Sequence, residues 1–200
     1  MAQQTTTKIF VSVLLALVGT GCHILPPREV FIRRFTLAHP DNPHALFMEG
    51  KSYLVQGDWP KAAACFRAAL HLQPNFEEAR VGLGHAYRSG GYYRDAAAVY
   101  REVLAKSPRN VPALEGLGIC EARLDRPDEA EKSFEKALAV EPKSVSTLDA
   151  YADYLYGQRQ YGRALQLWEQ SLRLNPNQSQ LTDLVKDLRA YVAKYGPKQP

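Results

Sequence analysis

Residues 43–74 read PHALFMEGKSYLVQGDWPKAAACFRAALHLQP, and this stretch decides the fold. Leu46, Gly50 and Tyr53 recur at helical spacing and share one face of a first helix. Gly57-Asp58-Trp59-Pro60 breaks that helix and starts another. Asp58 is suited to cap the new N-terminus, and Pro60 falls in the first turn, where its missing N–H costs nothing. Ala62, Phe66 and Ala69 then lie on one face at i, i+4 and i+7. Pro74 stops the second helix. The segment therefore predicts a helical hairpin.

The hairpin recurs. Pro40, Pro74, Pro108, Pro142 and Pro176 stand 34 residues apart. In repeats starting at 43, 77, 111 and 145, the small residue of the first helix is Gly50, Gly84, Gly118 and Ala152. The small residue of the second helix is Ala62, Ala96, Ala130 and Ala164. Four residues later comes a ring: Phe66, Tyr100, Phe134 and Trp168. Next come Ala69, Val103, Ala137 and Ser171. The pattern predicts close helix approach at the small residues and rings filling the gaps between hairpins. The late position of the first helix is aromatic at Tyr53 and Tyr87 but Glu121 and Leu155 afterwards.

This period and these positions resemble the tetratricopeptide repeat (TPR). The resemblance implies an all-α, right-handed superhelical solenoid with four repeats (43–76, 77–110, 111–144 and 145–178). No single repeat buries its apolar face alone, so the stack needs capped ends. Ser179 to Tyr195 is expected to be the C-terminal capping helix within 177–200, with an apolar stripe of Leu181, Leu184, Val185, Leu188, Val192 and Tyr195. Lys186, Asp187, Arg189 and Lys194 are expected to face away. Residues 23–42 are expected to hold a proline-containing linker and a capping helix over 28–39.

Composition sets further bounds. The chain has 200 residues and a net charge of +4. That charge is mild, and no stripe of Lys and Arg interleaved with aromatics argues for nucleic acid. The three cysteines, Cys22, Cys65 and Cys120, have neither disulfide-framework nor zinc spacing. Cys65 and Cys120 fall at packing positions. The histidines are scattered, without an i, i+4 pair. No phosphate-loop, zinc-protease or nucleophile-elbow motif is present. Gly82-Leu83-Gly84 and Gly116-Leu117-Gly118 lie mid-helix and read as packing glycines. No catalytic residue, metal site or cofactor is implied.

Residues 1–22, MAQQTTTKIFVSVLLALVGTGC, have the layout of a secretory signal: one charge at Lys8, an apolar run over 9–18, then small residues. The run is too short for an ordinary membrane span. Small residues before Cys22 resemble a bacterial lipoprotein signal, which implies cleavage before Cys22 and its acylation. Gly19 departs from the aliphatic residue usual in that family. An uncleaved anchor, an ordinary secreted protein and a coincidental cysteine are the alternatives. His23 follows the cysteine where an inner-membrane retention signal would have Asp, which points to the outer membrane.

In TPR proteins the first helices line a concave groove. Carried over position by position, the resemblance assigns groove roles to Phe47, Lys51 and Leu54, then Val81, His85 and Arg88. It continues with Glu115 and Ile119, with Arg123 next to the last groove position of that repeat, Ala122, and ends with Asp149, Asp153 and Tyr156. The expected groove is apolar and basic toward its N-terminal half and acidic at its C-terminal end, suited to a protein or peptide of mixed character. Phe47 and Lys51 depart from the set that clamps chaperone tails.

The expected function is a non-enzymatic scaffold: a TPR lipoprotein of the bacterial envelope, similar to those of type IV and tight-adherence pili. Polysaccharide export, cell-wall enzyme regulation and self-assembly are the alternatives.

Overall fold

The computed structural model describes residues 41–195, all of whose regular elements are helices. The first hairpin pairs α1 (Pro43–Val55) with α2 (Trp59–Leu72), and the second pairs α3 (Glu77–Ser89) with α4 (Tyr93–Lys106). The third joins α5 (Val111–Arg123) to α6 (Pro127–Val140), and the fourth α7 (Val145–Gly157) to α8 (Tyr161–Leu174). A single helix, α9 (Ser179–Tyr195), follows. The expected signal sequence, Cys22, the linker and the capping helix over 28–39 lie outside the described residues. None of the helices described is long and apolar enough to cross a membrane.

Local chemistry accounts for the helix ends. The Asp58 carboxylate accepts from the Lys61 backbone N–H at 3.2 Å, capping α2 as its sequence requires. Asn42 caps α1 through His44 and Ala45, and Asn110 caps α5 through Ala113. Every hairpin turns the same way. The N–H groups of Asp58, Tyr92, Arg126 and Gln160 donate to the carbonyls of Tyr53, Tyr87, Glu121 and Leu155 at 2.9–3.0 Å. This is the six-to-one bond of a Schellman motif, which demands a left-handed residue just before the donor. Gly57 and Gly91 fill that place at φ 77° and 79° without a Cβ penalty. Asp125 and Arg159 fill it in the last two repeats at φ 58° and 59°, a departure hidden by the periodic pattern.

Packing follows the repeat register. Ala62, Ala96, Ala130 and Ala164 are each fully buried, as are Phe66, Tyr100 and Phe134, and Trp168 is 2% exposed. The first two rings each wedge between two successive first helices. A Cβ on Gly50 or Gly82 would sit 2.8 or 2.7 Å from the Phe66 ring. On Gly84 or Gly116 it would sit 2.5 or 2.4 Å from Tyr100. The rings thus occupy the volume the glycines vacate, at the close packing typical of protein interiors.

Successive first helices approach one another closely along their backbones (α1 with α3, α3 with α5, α5 with α7), whereas successive second helices make no such backbone approach. The stack therefore curves with the first helices on its inner side. Cys120 is buried in the Tyr100 cluster and Cys65 is half-buried, in keeping with packing roles.

One departure from the repeat pattern and one expectation about α9 are settled by the packing. Glu121 occupies a ring position, yet its side chain is 5% exposed. It is accommodated because Arg101 donates to its Oε1 at 3.1 Å and the Ser133 hydroxyl to its Oε2 at 2.7 Å. Partners on both neighbouring second helices offset the desolvation that would expel a lone carboxylate. In α9, Val185 and Leu188 are buried, and Leu181 and Val192 pack against the last core cluster. Leu184 and Tyr195 are 39% and 62% exposed and are not part of that seam. Leu184 lines a cleft with Tyr156, Tyr161 and Tyr191, and the Tyr195 ring packs on Tyr191.

Candidate groove site

The inner face begins with a closed end. Phe47 packs on Phe66 and Phe76, with ring centroids 5.9 and 5.1 Å away, and Lys51 lies 5.6 Å above the Phe47 ring. Phe76 was not singled out in the sequence, because it falls in the inter-repeat turn. It is nevertheless buried against α1, where His44 also stacks on it. Leu54 and Val81 are half-buried against the first and second core clusters. Phe47, Leu54 and Val81 therefore offer only their edges to a ligand.

Further along, α3, α5 and α7 enclose a cleft of about 510 Å3. Four of the groove residues inferred from sequence converge there: Arg88, Ile119, Arg123 and Asp153. Ala122, Ala150 and the buried ring of Phe134 provide an apolar floor, and Tyr154, Gly157 and Gln158 complete the wall. Tyr154, Gly157 and Gln158 were missed, since they lie outside the four positions per repeat that the pattern assigns to the groove. The Tyr154 hydroxyl donates to the Pro127 carbonyl at 3.3 Å.

The electrostatics are mixed. The Arg88 Nε and the Tyr100 hydroxyl are buried and have no hydrogen-bond partner among the described residues. Burial pushes the Tyr100 hydroxyl well above its usual range, and the Arg88 charge beside it opposes this. Burial, aided by Arg88, pushes His85 down to about 4. His85 is thus a neutral ring at neutral pH, 5.9 Å from Tyr100, and not part of a basic stretch. On the opposite wall, burial raises the Asp153 carboxyl, and Asp149 one turn away adds to the shift. Asp149 is itself raised by burial, and its Oδ1 is buried without a hydrogen-bond partner among the described residues.

Two inferred groove residues do other work. Glu115 Oε2 accepts from the hydroxyls of Ser146 and Thr147 at 2.8 and 2.9 Å, which ties α5 to α7. Tyr156 lies in a separate cleft with Tyr161 and α9. Among the described residues no cluster of three or more His, Cys, Asp or Glu side chains is placed to hold a metal.

Comparison with known proteins agrees with this geometry. Tetratricopeptide-repeat family models match residues 43–76 and 81–144. A search of the curated proteins finds no match. A thermophilic TPR protein of Thermus thermophilus superposes with a TM-score of 0.73 at 22% identity, over 81% of this chain and 89% of that one. MamA from Desulfovibrio magneticus superposes with a TM-score of 0.61 at 19% identity, over 75% and 85%. YrrB, described as a TPR protein with an unusual peptide-binding site, gives a TM-score of 0.56 at 16% identity, over 84% and 85%. At these identities the likeness is one of fold. With four hairpins in one 34-residue register, rings wedged against glycines of successive first helices and family matches across the first three repeats, this chain is a tetratricopeptide-repeat protein.

Proposed function

We propose that this chain is an adaptor that docks a segment of a partner protein in the cleft between α3, α5 and α7. The carrying observation is that Arg88, Arg123 and Asp153 line one cleft together with the apolar Ile119, Ala122 and Ala150. Such a site suits a segment that offers a carboxylate to the arginines, an apolar side chain to Ile119 and Ala122, and a donor to Asp153. The cleft is preformed by helices, so little ordering cost accompanies docking. The peptide-binding site of the fold relative YrrB is consistent with this reading.

The experiment is charge reversal. Arg88→Glu combined with Arg123→Glu should weaken partner binding by about tenfold or more, each lost charge contact being worth on the order of 1 kcal/mol. Helix content and melting behaviour should stay close to the parent, which circular dichroism checks. Unchanged binding by a folded double variant contradicts the proposal.

In its finer form the reading places the adaptor on the bacterial envelope, held to the outer membrane by acylated Cys22, in the assembly of a pilus or secretion machine. The support is the small-residue run ending in Cys22. Paired acyl chains would suffice for stable anchoring. The intact mass of the protein from bacterial membranes should correspond to a chain starting at an acylated Cys22. A Cys22→Ser variant should leave the membrane fraction. A full-length, unacylated chain contradicts the anchored form of the proposal and leaves the cleft untouched.

A further inference from the structure

The C-terminal end of the solenoid carries a second cleft, of about 360 Å3, lined by Tyr156, Tyr161, Leu184, Asp187, Leu188 and Tyr191. Its origin is topological. At each earlier junction a first helix packs on the next first helix, but α9 packs on α8 and makes no close backbone approach to α7. The gap between α7 and α9 is partly filled by rings. The Tyr156 and Tyr161 centroids are 5.4 Å apart, and Tyr161 meets Tyr191 edge-on at 5.5 Å. Tyr156 and Tyr191 remain 41% and 48% exposed, so ring surface is left open at the cleft.

One carboxylate lies in this aromatic wall. Asp187 takes part in none of the ion pairs found among the described residues. The neighbouring cation Arg189 is turned away, its guanidinium bonded to Glu169 at 2.6 and 3.0 Å.

The chemistry discriminates between occupants. An apolar side chain would desolvate Asp187 without pairing it, and an acidic one would be repelled. A cationic side chain satisfies both features, since it meets the ring faces and the carboxylate together. We propose that the cleft between α7, α8 and α9 takes a lysine or arginine side chain from an extended segment of a partner protein. This site is separate from the cleft between α3, α5 and α7, and it stands or falls independently of that reading.

The test uses the full chain and labelled Gly/Ser peptides carrying a central pair of lysines, arginines, glutamates or leucines. Binding is read by fluorescence polarisation. The lysine or arginine peptide should bind at least about tenfold more tightly than the glutamate and leucine peptides, the ratio set by pairing plus ring contact. Asp187→Asn and Tyr191→Ala should each reduce that preference about fivefold or more, whereas Tyr191→Phe, which keeps the ring face, should retain it. Equal affinity for all four peptides, or a cationic preference that survives Asp187→Asn, overturns the proposal. A sedimenting mass that falls from dimer to monomer in Tyr191→Ala also overturns it, by assigning the cleft to a second copy of the chain.

Discussion

Tyr100→Ala should lower the stability of the solenoid by about 3–5 kcal/mol, the range for removing a fully buried ring. Tyr100 has no exposed surface and sits between Gly84 and Gly116, whose backbones leave no side-chain atoms able to collapse into the space. The cavity would open at the centre of the stack, where it uncouples the second hairpin from the third. In a linear array each interface carries its neighbours, so the melting transition should also broaden or split. Tyr100→Phe is the discriminating companion. The hydroxyl has no hydrogen-bond partner among the described residues, so its removal leaves no orphaned group and should change stability by less than about 1 kcal/mol. A large loss in both variants would mean that the hydroxyl is bonded and that the ring alone does not hold the interface. Denaturant titration of the three proteins decides the matter.

Gly116→Leu approaches the same junction from the other side and should cost about 3 kcal/mol, the upper part of the overpacking range. A Cβ at this position would already be 2.4 Å from the Tyr100 ring, before the rest of the leucine side chain is placed. The ring is itself blocked by Gly84 on its far side, so it has no direction in which to yield. The control is Gly162→Ala. Gly162 is exposed near the start of α8, with nothing within 4 Å of the place an alanine methyl would take, so alanine should raise stability by about 0.5–1 kcal/mol through helix propensity and a less free unfolded chain. Opposite signs at two helical glycines would establish that register, not composition, sets their roles. Equal tolerance would contradict the wedge.

The contrast between these glycines also explains what the sequence conveys. A 34-residue period repeats every contact made within a hairpin and between neighbours, so Ala62, Phe66 and Ala69 announce the environment of Ala164, Trp168 and Ser171. What breaks the period is legible only in three dimensions. Glu121 looks like a defect until Arg101 and Ser133 are brought to it from adjacent helices. Asp125 and Arg159 look like ordinary turn residues until the Schellman geometry puts them in the left-handed region. Phe76 is hidden in a turn, yet closes the first core cluster. At α9 the pattern loses its neighbour, and helical periodicity cannot say which edge of the stripe stays wet. The groove follows the same rule. Position within the repeat located Arg88, Ile119 and Asp153, with Arg123 beside the position of Ala122, but not the bridge that occupies Glu115. Partner identity leaves no trace in packing positions, because neighbouring helices alone account for the residues found there.

The most direct test of the central claim places a photo-cross-linking residue at Ile119, on the floor side of the cleft, and compares it with one at Ala98, exposed on α4. In cells, the Ile119 position should yield one discrete protein adduct, which disappears when Arg88→Glu and Arg123→Glu are added, and the Ala98 position should yield none. The same adduct from both positions, or an Ile119 adduct indifferent to charge reversal, would contradict docking in the cleft.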